Sequence, residues 1–160
     1  GKDDVPPHQV TGVAGHKGFM TISVEKDMMN SELGFGRKVL AVLEKHGVSF
    51  EHLPSGIDTL SVIVDEKSMA GIEQRVIDDI CQAVNPDTIS VERDIALIAV
   101  VGRGLVSAKG TAGRVFTAIG DAGVNIKMID QGSSELNIIV GVSGEDYVPA
   151  LRAIYNEFVK

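Results

Sequence analysis

The 160-residue sequence holds a single cysteine, Cys81, so no disulfide can close within the chain, and a reducing cytoplasm is the expected setting. No apolar run approaches the ~20 residues of a membrane span. The longest candidate, Ile95 to Val101, has the length of a strand. Basic clusters are missing too. Fifteen Lys and Arg stand against 22 Asp and Glu, a net charge of −7. Nucleic acid and anionic membranes are therefore poor partners, since both need dense positive charge. The first seven residues offer neither an initiator methionine nor an apolar signal core. A chain that starts so abruptly is expected to be part of a longer protein.

Patterns for catalysis are also wanting. His8, His16, His46 and His52 give no i, i+4 pair, so no zinc site is expected. Ser133-Ser134 lacks the glycine-flanked elbow of a serine nucleophile. Gly102-Arg-Gly104 fails the dinucleotide fingerprint because residue 107 is serine. No catalytic residue and no metal ligand is assigned. Cys81, beside Ile80, reads as a buried structural thiol. His46 is expected to meet the carbonyls of its helix end. Arg103, Lys109 and Arg114 read as hydrated charges, and Met28-Met29 as core filling.

What is present is an ordinary globular composition, 44% apolar and 23% charged. Its strongest feature is a repeat. Gly47-Val48 and Gly123-Val124 lie 76 residues apart, each after a helical pattern. The same offset carries Ile22 and Val24 onto Ile98 and Val100. It carries Val39, Leu40 and Leu43 onto Val115, Phe116 and Ile119. Gly56 falls on Gly132, and Leu60 to Val64 on Leu136 to Val140. Duplication of one unit follows.

In the first copy the pattern predicts strands at 20–24, 48–53, 57–64 and 88–92. Helices are predicted at 37–46 and through Ile72, Val76, Ile77 and Ile80, ending before Pro86. The order βαββαβ is the ferredoxin-like split βαβ arrangement, an α+β fold with two helices on one face of an antiparallel sheet. The second copy predicts strands at 95–101, 124–129 and 135–142, with helices at 111–122 and 147–158. It runs out of chain before a fourth strand. Residues 10–15 form an orphan strand ahead of the first copy. Filling a bare sheet edge assigns them to the second copy. The expected domains are a tail at 1–9, the completing strand at 10–15, a first unit at 16–93 and a second at 94–160, the first inserted in the second.

Function must then sit in the loops. The link from first strand to first helix is glycine-rich in both copies, and a helix start favours a small anion such as a carboxylate. Glu32, Glu51, Asn125 and Asp130 are available for an ammonium. Together these describe a free amino acid. From the residues alone, ordinary glycine-rich connections with helix caps remain the simpler reading.

The spellings Met28-Met-Asn-Ser31, Gly34-Phe-Gly-Arg-Lys-Val-Leu40 and Val48-Ser-Phe-Glu-His-Leu-Pro-Ser-Gly56 resemble the first ACT domain of an aspartate kinase. Gly123-Val-Asn-Ile126 and Asp130-Gln-Gly-Ser-Ser-Glu-Leu-Asn-Ile138 resemble the second. The resemblance spans Val10 to Val159. It implies the carboxy-terminal allosteric module of such a kinase, with one ACT unit inside the other and the catalytic domain, which uses ATP and Mg, absent from this chain. It implies an effector site in which Met29, Ser31, Glu32, Gly34, Phe35 and Gly36 hold a carboxylate. Ser49, Phe50 and Glu51 would hold an ammonium, and Asn125 and Ile126 would face them. Gln131, Ser133, Ser134 and Glu135 match the second-unit motif. Lysine is the first expected effector and threonine the second. A homodimer and a kinase domain, in cis or in trans, are the expected partners. A dimerisation module with degenerate pockets, or an ACT sensor with no attached kinase, is the alternative. Catalysis by the chain alone has no residue set behind it.

Overall fold

A computed structural model of the chain describes residues 10–102, 108–131 and 137–158. Two compact units emerge. The inserted unit is Gly18–Asp94, and the host unit combines the residues up to Lys17 with those from Ile95 onward.

The inserted unit contains the second half of β1 (Val10–Glu25), then α1 (Phe35–Lys45), β2 (Phe50–His52), β3 (Thr59–Asp65), α2 (Glu73–Val84) and the first half of β4 (Thr88–Gly102). Its strand order is β2-β3-β1-β4. The host unit contains the first half of β1, the second half of β4, then α3 (Ala108–Asp121), β5 (Ile126–Gln131), β6 (Asn137–Ser143) and α4 (Tyr147–Phe158), in the order β1-β4-β6-β5. This is the expected pair of ferredoxin-like units. One correction concerns strand number. The segments read as separate strands at 10–15 and 20–24 are one strand, and so are those at 88–92 and 95–101. A positive-φ residue stands within each, Gly18 (φ 91°) in β1 and Asp94 (φ 55°) in β4, where the chain passes from one unit to the other.

Each unit builds its core from the same parts. In the inserted unit Val39 and Leu43 of α1, and Val76 and Ile80 of α2, pack on Met20, Ile22, Leu60, Val62 and Val64. In the host unit Val115 and Ile119 of α3, and Ala150 and Ile154 of α4, pack on Ala96, Ile98, Ile138, Val140 and Val142. The i, i+4 spacing on each helix gives one apolar stripe, and the alternation along each strand gives one apolar face. Each fully buried aliphatic side chain contributes about 1.5–3 kcal/mol.

The first helix of each unit ends in the same way. Gly47 (φ 72°) and Gly123 (φ 75°) take the left-handed conformation. Their amides bond Glu44 O and Gly120 O, and the next amides, of Val48 and Val124, bond Leu43 O and Ile119 O. This is a Schellman turn, which satisfies the last carbonyls and favours glycine at that position.

The repeat is not at one constant offset. It is 76 through the first strand, the helix end and the bulge that follows. That bulge interrupts β2 between Phe50 and His52, and β5 between Ile126 and Met128. In the next strand the offset is 78. Met20 pairs with Val64, whereas Ala96 pairs with Val142. Positions 60, 62, 63 and 64 of β3 are buried, as are 138, 140, 141 and 142 of β6. The two extra residues fall between Ile126 and Ile138. A strand repeats every two residues, so an even slip keeps the apolar face inward and is invisible to pattern matching.

Gly15 tests how β1 fits the host unit. A Cβ there would lie 2.6 Å from Tyr147 Cε1 and 3.0 Å from the Leu97 carbonyl, whereas a Cβ at Gly12 meets nothing within 4 Å. Gly15→Ala is expected to lower stability in urea unfolding by about 1–3 kcal/mol, the usual cost of overpacking. Gly12→Ala, on the same strand, should leave it nearly unchanged.

Candidate functional site

The link between β1 and α1 in the inserted unit is shaped by two left-handed residues. Met28 (φ 62°) opens a single 3-10 turn, Met29–Ser31, and Gly34 (φ 74°) stands at the helix start. A side chain at Gly34 would be strained by that φ, although its Cβ would meet the Arg37 guanidinium only in ordinary contact, at 3.4 Å. No side chain caps α1. The Phe35 N–H donates to Glu32 O at 3.4 Å, and the first-turn N–H groups after it, at the positive end of the helix dipole, receive no bond from a capping residue.

Beside this helix start lies a shallow cavity of about 280 Å³, lined by Met29, Asn30, Glu32, Gly34, Phe35, Gly36, Ser55, Gly56 and Leu60. Five of the residues singled out in the sequence thus come together: Met29, Glu32, Gly34, Phe35 and Gly36. Ser31 is exposed on the same loop, its hydroxyl donating to Met28 O at 2.7 Å. The methionine pair divides its work. Met29 is buried in the core and Met28 is 66% exposed. Asn30, Ser55, Gly56 and Leu60 were missed. For Ser55, Gly56 and Leu60 the signal was the Pro54-Ser-Gly56 turn, whose Ser55 bridges to Leu60 and whose Gly56 amide bonds Thr59 O at 2.9 Å; Asn30 lies within the Met28 to Ser31 spelling.

Ser49 and Phe50 line a different depression, with Leu40, Leu43, Glu44, Gly47 and Val48, and Glu51 is exposed in the β2 bulge. The reason is length. An 11-residue helix spans about 16 Å, so Ser49 and Phe50, only a few residues past its end, lie too far from its start to line that cavity, whereas the chain has returned there by Ser55.

In the host unit Asn125 is exposed just before β5, Ile126 packs against the core, and Gln131 ends β5 exposed. Ser133, Ser134 and Glu135, with Arg103 and the tail 1–9, lie outside the described residues, as does the Lys109 side chain. Thr111 of α3 takes the place that Phe35 holds in α1. It is fully buried, and its hydroxyl has no hydrogen-bond partner among the described residues.

Three carboxylates of the inserted unit have lowered pKa values. The Glu32 carboxylate accepts from Lys26 Nζ at 2.5 Å and lies 3.6 Å from Lys38 Nζ, and these ammonium groups, Lys26 first, hold its pKa below the usual carboxylate value. Glu73 is lowered by a two-pronged bond from the Arg93 guanidinium. Asp79 is lowered by His46, at 2.7 Å, and then by Lys45, at 3.2 Å. His46 therefore joins α1 to α2 through its side chain instead of serving its own helix carbonyls. All three carboxylates belong to the inserted unit.

A depressed carboxylate contributes stability that is present above its unfolded pKa and is lost as pH falls through the folded one. The unfolded values are 4.5 for Glu and 3.8 for Asp. Acidification from about pH 6 to about pH 3 should therefore weaken the inserted unit. Amide exchange at the two pH values, corrected for intrinsic rates, would show protection falling first in α1 and α2.

Two other residues differ from expectation. Arg114 is not simply hydrated. Its Nε donates to Glu157 Oε1 at 2.8 Å, its Nη2 to Glu157 O at 3.1 Å, and its guanidinium stacks 4.5 Å from the Phe158 ring centroid. Cys81 is only partly buried, on the flank of the α2 stripe formed by Val76, Ile80 and Val84. Among the described residues no group of three or more His, Cys, Asp and Glu is placed to hold a metal, and no helix is long and apolar enough to cross a membrane.

Two ferredoxin-like units, with an uncapped helix start beside a small glycine-edged cavity, define a regulatory module of the ACT class. The family model described as ACT domain matches residues 98–158. Aspartokinase 3 of Bacillus subtilis is 43% identical over 150 residues, 93% of this chain and 33% of its own length. The aspartate kinase of Clostridium acetobutylicum superposes with a TM-score of 0.89 at 47% identity, over 94% of this chain and 35% of that one. The regulatory subunit of aspartate kinase from Thermus flavus superposes at 0.77 with 26% identity, over 94% of this chain and 99% of that subunit. The chain belongs to the family of ACT-domain regulatory regions of aspartate kinases. It spans about a third of the length of the Bacillus and Clostridium kinases it matches.

Proposed function

We propose that this chain senses a free amino acid and feeds back on ATP-dependent phosphorylation of aspartate by a kinase domain, attached or separate. The observation that carries this reading is the uncapped start of α1 beside a cavity of about 280 Å³ edged by Gly34, Gly36 and Gly56. The glycines let backbone N–H groups approach a ligand carboxylate, and the size suits an amino acid. Lysine is the first effector and threonine the second. Aspartokinase III of E. coli has been solved in complex with lysine and aspartate; at 21% identity it shares the fold with this chain.

The proposed effector residues are Met29, Ser31, Glu32, Gly34, Phe35 and Gly36, with Asn30 and Ser55 added by the cavity. Ser49, Phe50 and Glu51 belong to the same function through the proposed homodimer, in which the exposed strand β2 of each copy pairs beyond its own unit. Asn125, Ile126, Gln131, Ser133, Ser134 and Glu135 form the second-unit counterpart. Regulation is a population shift: the effector favours one packing of the ACT pair, and a coupling of about 1–3 kcal/mol to the kinase domain is sufficient. ATP and Mg belong to the kinase domain.

Calorimetric titration of the chain with lysine and with threonine tests the proposal. Saturable heat with one of them, together with a rise in melting temperature, is the expected result. Absence of both signals for both amino acids would overturn it.

A further inference from the structure

Lys26 directly follows β1 and pairs with Glu32. Its ammonium donates to Glu32 Oε1 at 2.5 Å and to the carbonyl of Val84, the last residue of α2, at 2.6 Å. Both charged side chains are largely shielded, 23% exposed for Lys26 and 25% for Glu32. Glu32 lines the cavity and Lys26 does not. Glu32, a residue of the cavity lining, thus already has its carboxylate bound to a cation of the same chain, with Lys38 Nζ 3.6 Å from its other oxygen.

Neighbouring bonds extend this tie. The Asp27 amide donates to Asp87 Oδ2 at 2.7 Å, and the Asp87 amide donates to Glu25 O at 2.8 Å. The start of the loop is therefore fastened to the turn Asn85-Pro-Asp87, where α2 ends and β4 begins. Beyond Asp94, β4 continues into the host unit.

We propose that Lys26 is an internal competitor for the ammonium of the amino-acid ligand, and that binding releases it from Glu32 and from the Val84 carbonyl. This rests on the loop cavity being the effector site. An ammonium entering the cavity competes for a carboxylate whose charge already attracts Lys26 and Lys38. A carboxylate shared between two such donors binds each less well than it would bind one alone. Release of Lys26 frees the last carbonyl of α2. The event in the loop thereby reaches the turn that feeds β4, along groups that are bonded to one another. The competition also sets ligand preference: a ligand without an ammonium gains nothing from displacing Lys26.

The test compares the parent chain with Lys26→Met by calorimetry, using L-lysine and L-threonine as probes. Removing the competitor should tighten binding of whichever amino acid binds the parent by about tenfold. The Asn85 amide nitrogen, bonded to the Val84 carbonyl carbon, reports the hydrogen bond on that carbonyl in an NMR titration. It should move on saturating the parent. In Lys26→Met it should be displaced from the outset and move no further. Should Lys26→Met lose its far-UV circular dichroism, Lys26→Gln replaces it, with the same expected tightening. A parent that binds, paired with a folded variant that binds equally or more weakly, or with an unmoved Asn85 signal, overturns the competition while leaving the effector site standing. A parent that takes up neither amino acid removes the effector site and the competition together.

Discussion

A Gly36→Asp variant is expected to fold as stably as the parent and to bind the proposed amino-acid effector about 100-fold more weakly, a loss of about 2.7 kcal/mol. The two halves of this expectation have separate causes. A Cβ at Gly36 meets nothing within 4 Å, and Gly36 is not among the residues with positive φ, so the backbone accepts a side chain. An acid in the first turn of α1 is favoured by the helix dipole, which offsets the usual penalty of aspartate in a helix. Gly36 also lines the cavity. There the new carboxylate competes for the first-turn N–H groups and repels the ligand carboxylate. Gly36→Ala, which adds a methyl group and no charge, should weaken binding far less. Calorimetry for affinity and thermal unfolding for stability separate the outcomes. A Gly36→Asp protein that binds as the parent does would place the ligand carboxylate elsewhere.

Ile98→Ala is expected to cost about 2–5 kcal/mol of stability, the range for deleting a large aliphatic side chain from a closed core. Ile98 is fully buried in β4 and belongs to the host core with Val115, Ile119, Val140 and Ile154. Those residues come from α3, β6 and α4, so the deletion removes contacts with three elements at once. Its repeat counterpart Ile22 is equally buried in the inserted unit, and Ile22→Ala should cost a similar amount. Ile98→Val should cost only about 0.5–1.5 kcal/mol. Urea unfolding gives the numbers, and amide exchange in α3, β6 and α4 locates the loss for Ile98→Ala. A cost below 1 kcal/mol would mean that the core closes around the gap or that Ile98 does not sit in it.

Much of this was legible before any coordinates. The helix starting at Tyr147 was read from its apolar spacing with the bounds it has, Tyr147–Phe158. The first helix was read at 37–46 and runs Phe35–Lys45, because Gly34 and Phe35-Gly36 look like loop residues until a turn of helix is laid through them. The loop itself was found from its glycines and its family spelling. Other features depend on residues far apart in sequence. Nothing near Glu32 announces that Lys26 binds it, or that the same ammonium reaches Val84 at a separation of 58 residues. His46 looked like a helix-end cation, yet its partner Asp79 is 33 residues away. The division of the candidate site between the start and the end of α1 is likewise a matter of distance along a rigid helix.

The sequence by itself determined the element types, the duplicated unit and the insertion of one copy in the other. These follow from the period of apolar residues and from local backbone chemistry, both of which act over a few positions. Tertiary structure decided the rest: that two pairs of predicted strands are single strands, that the repeat slips by two residues between Ile126 and Ile138, and which acid meets which base. Register and ion pairing depend on which side chains share a space after packing, and a pattern of period two gives the same face to every even shift.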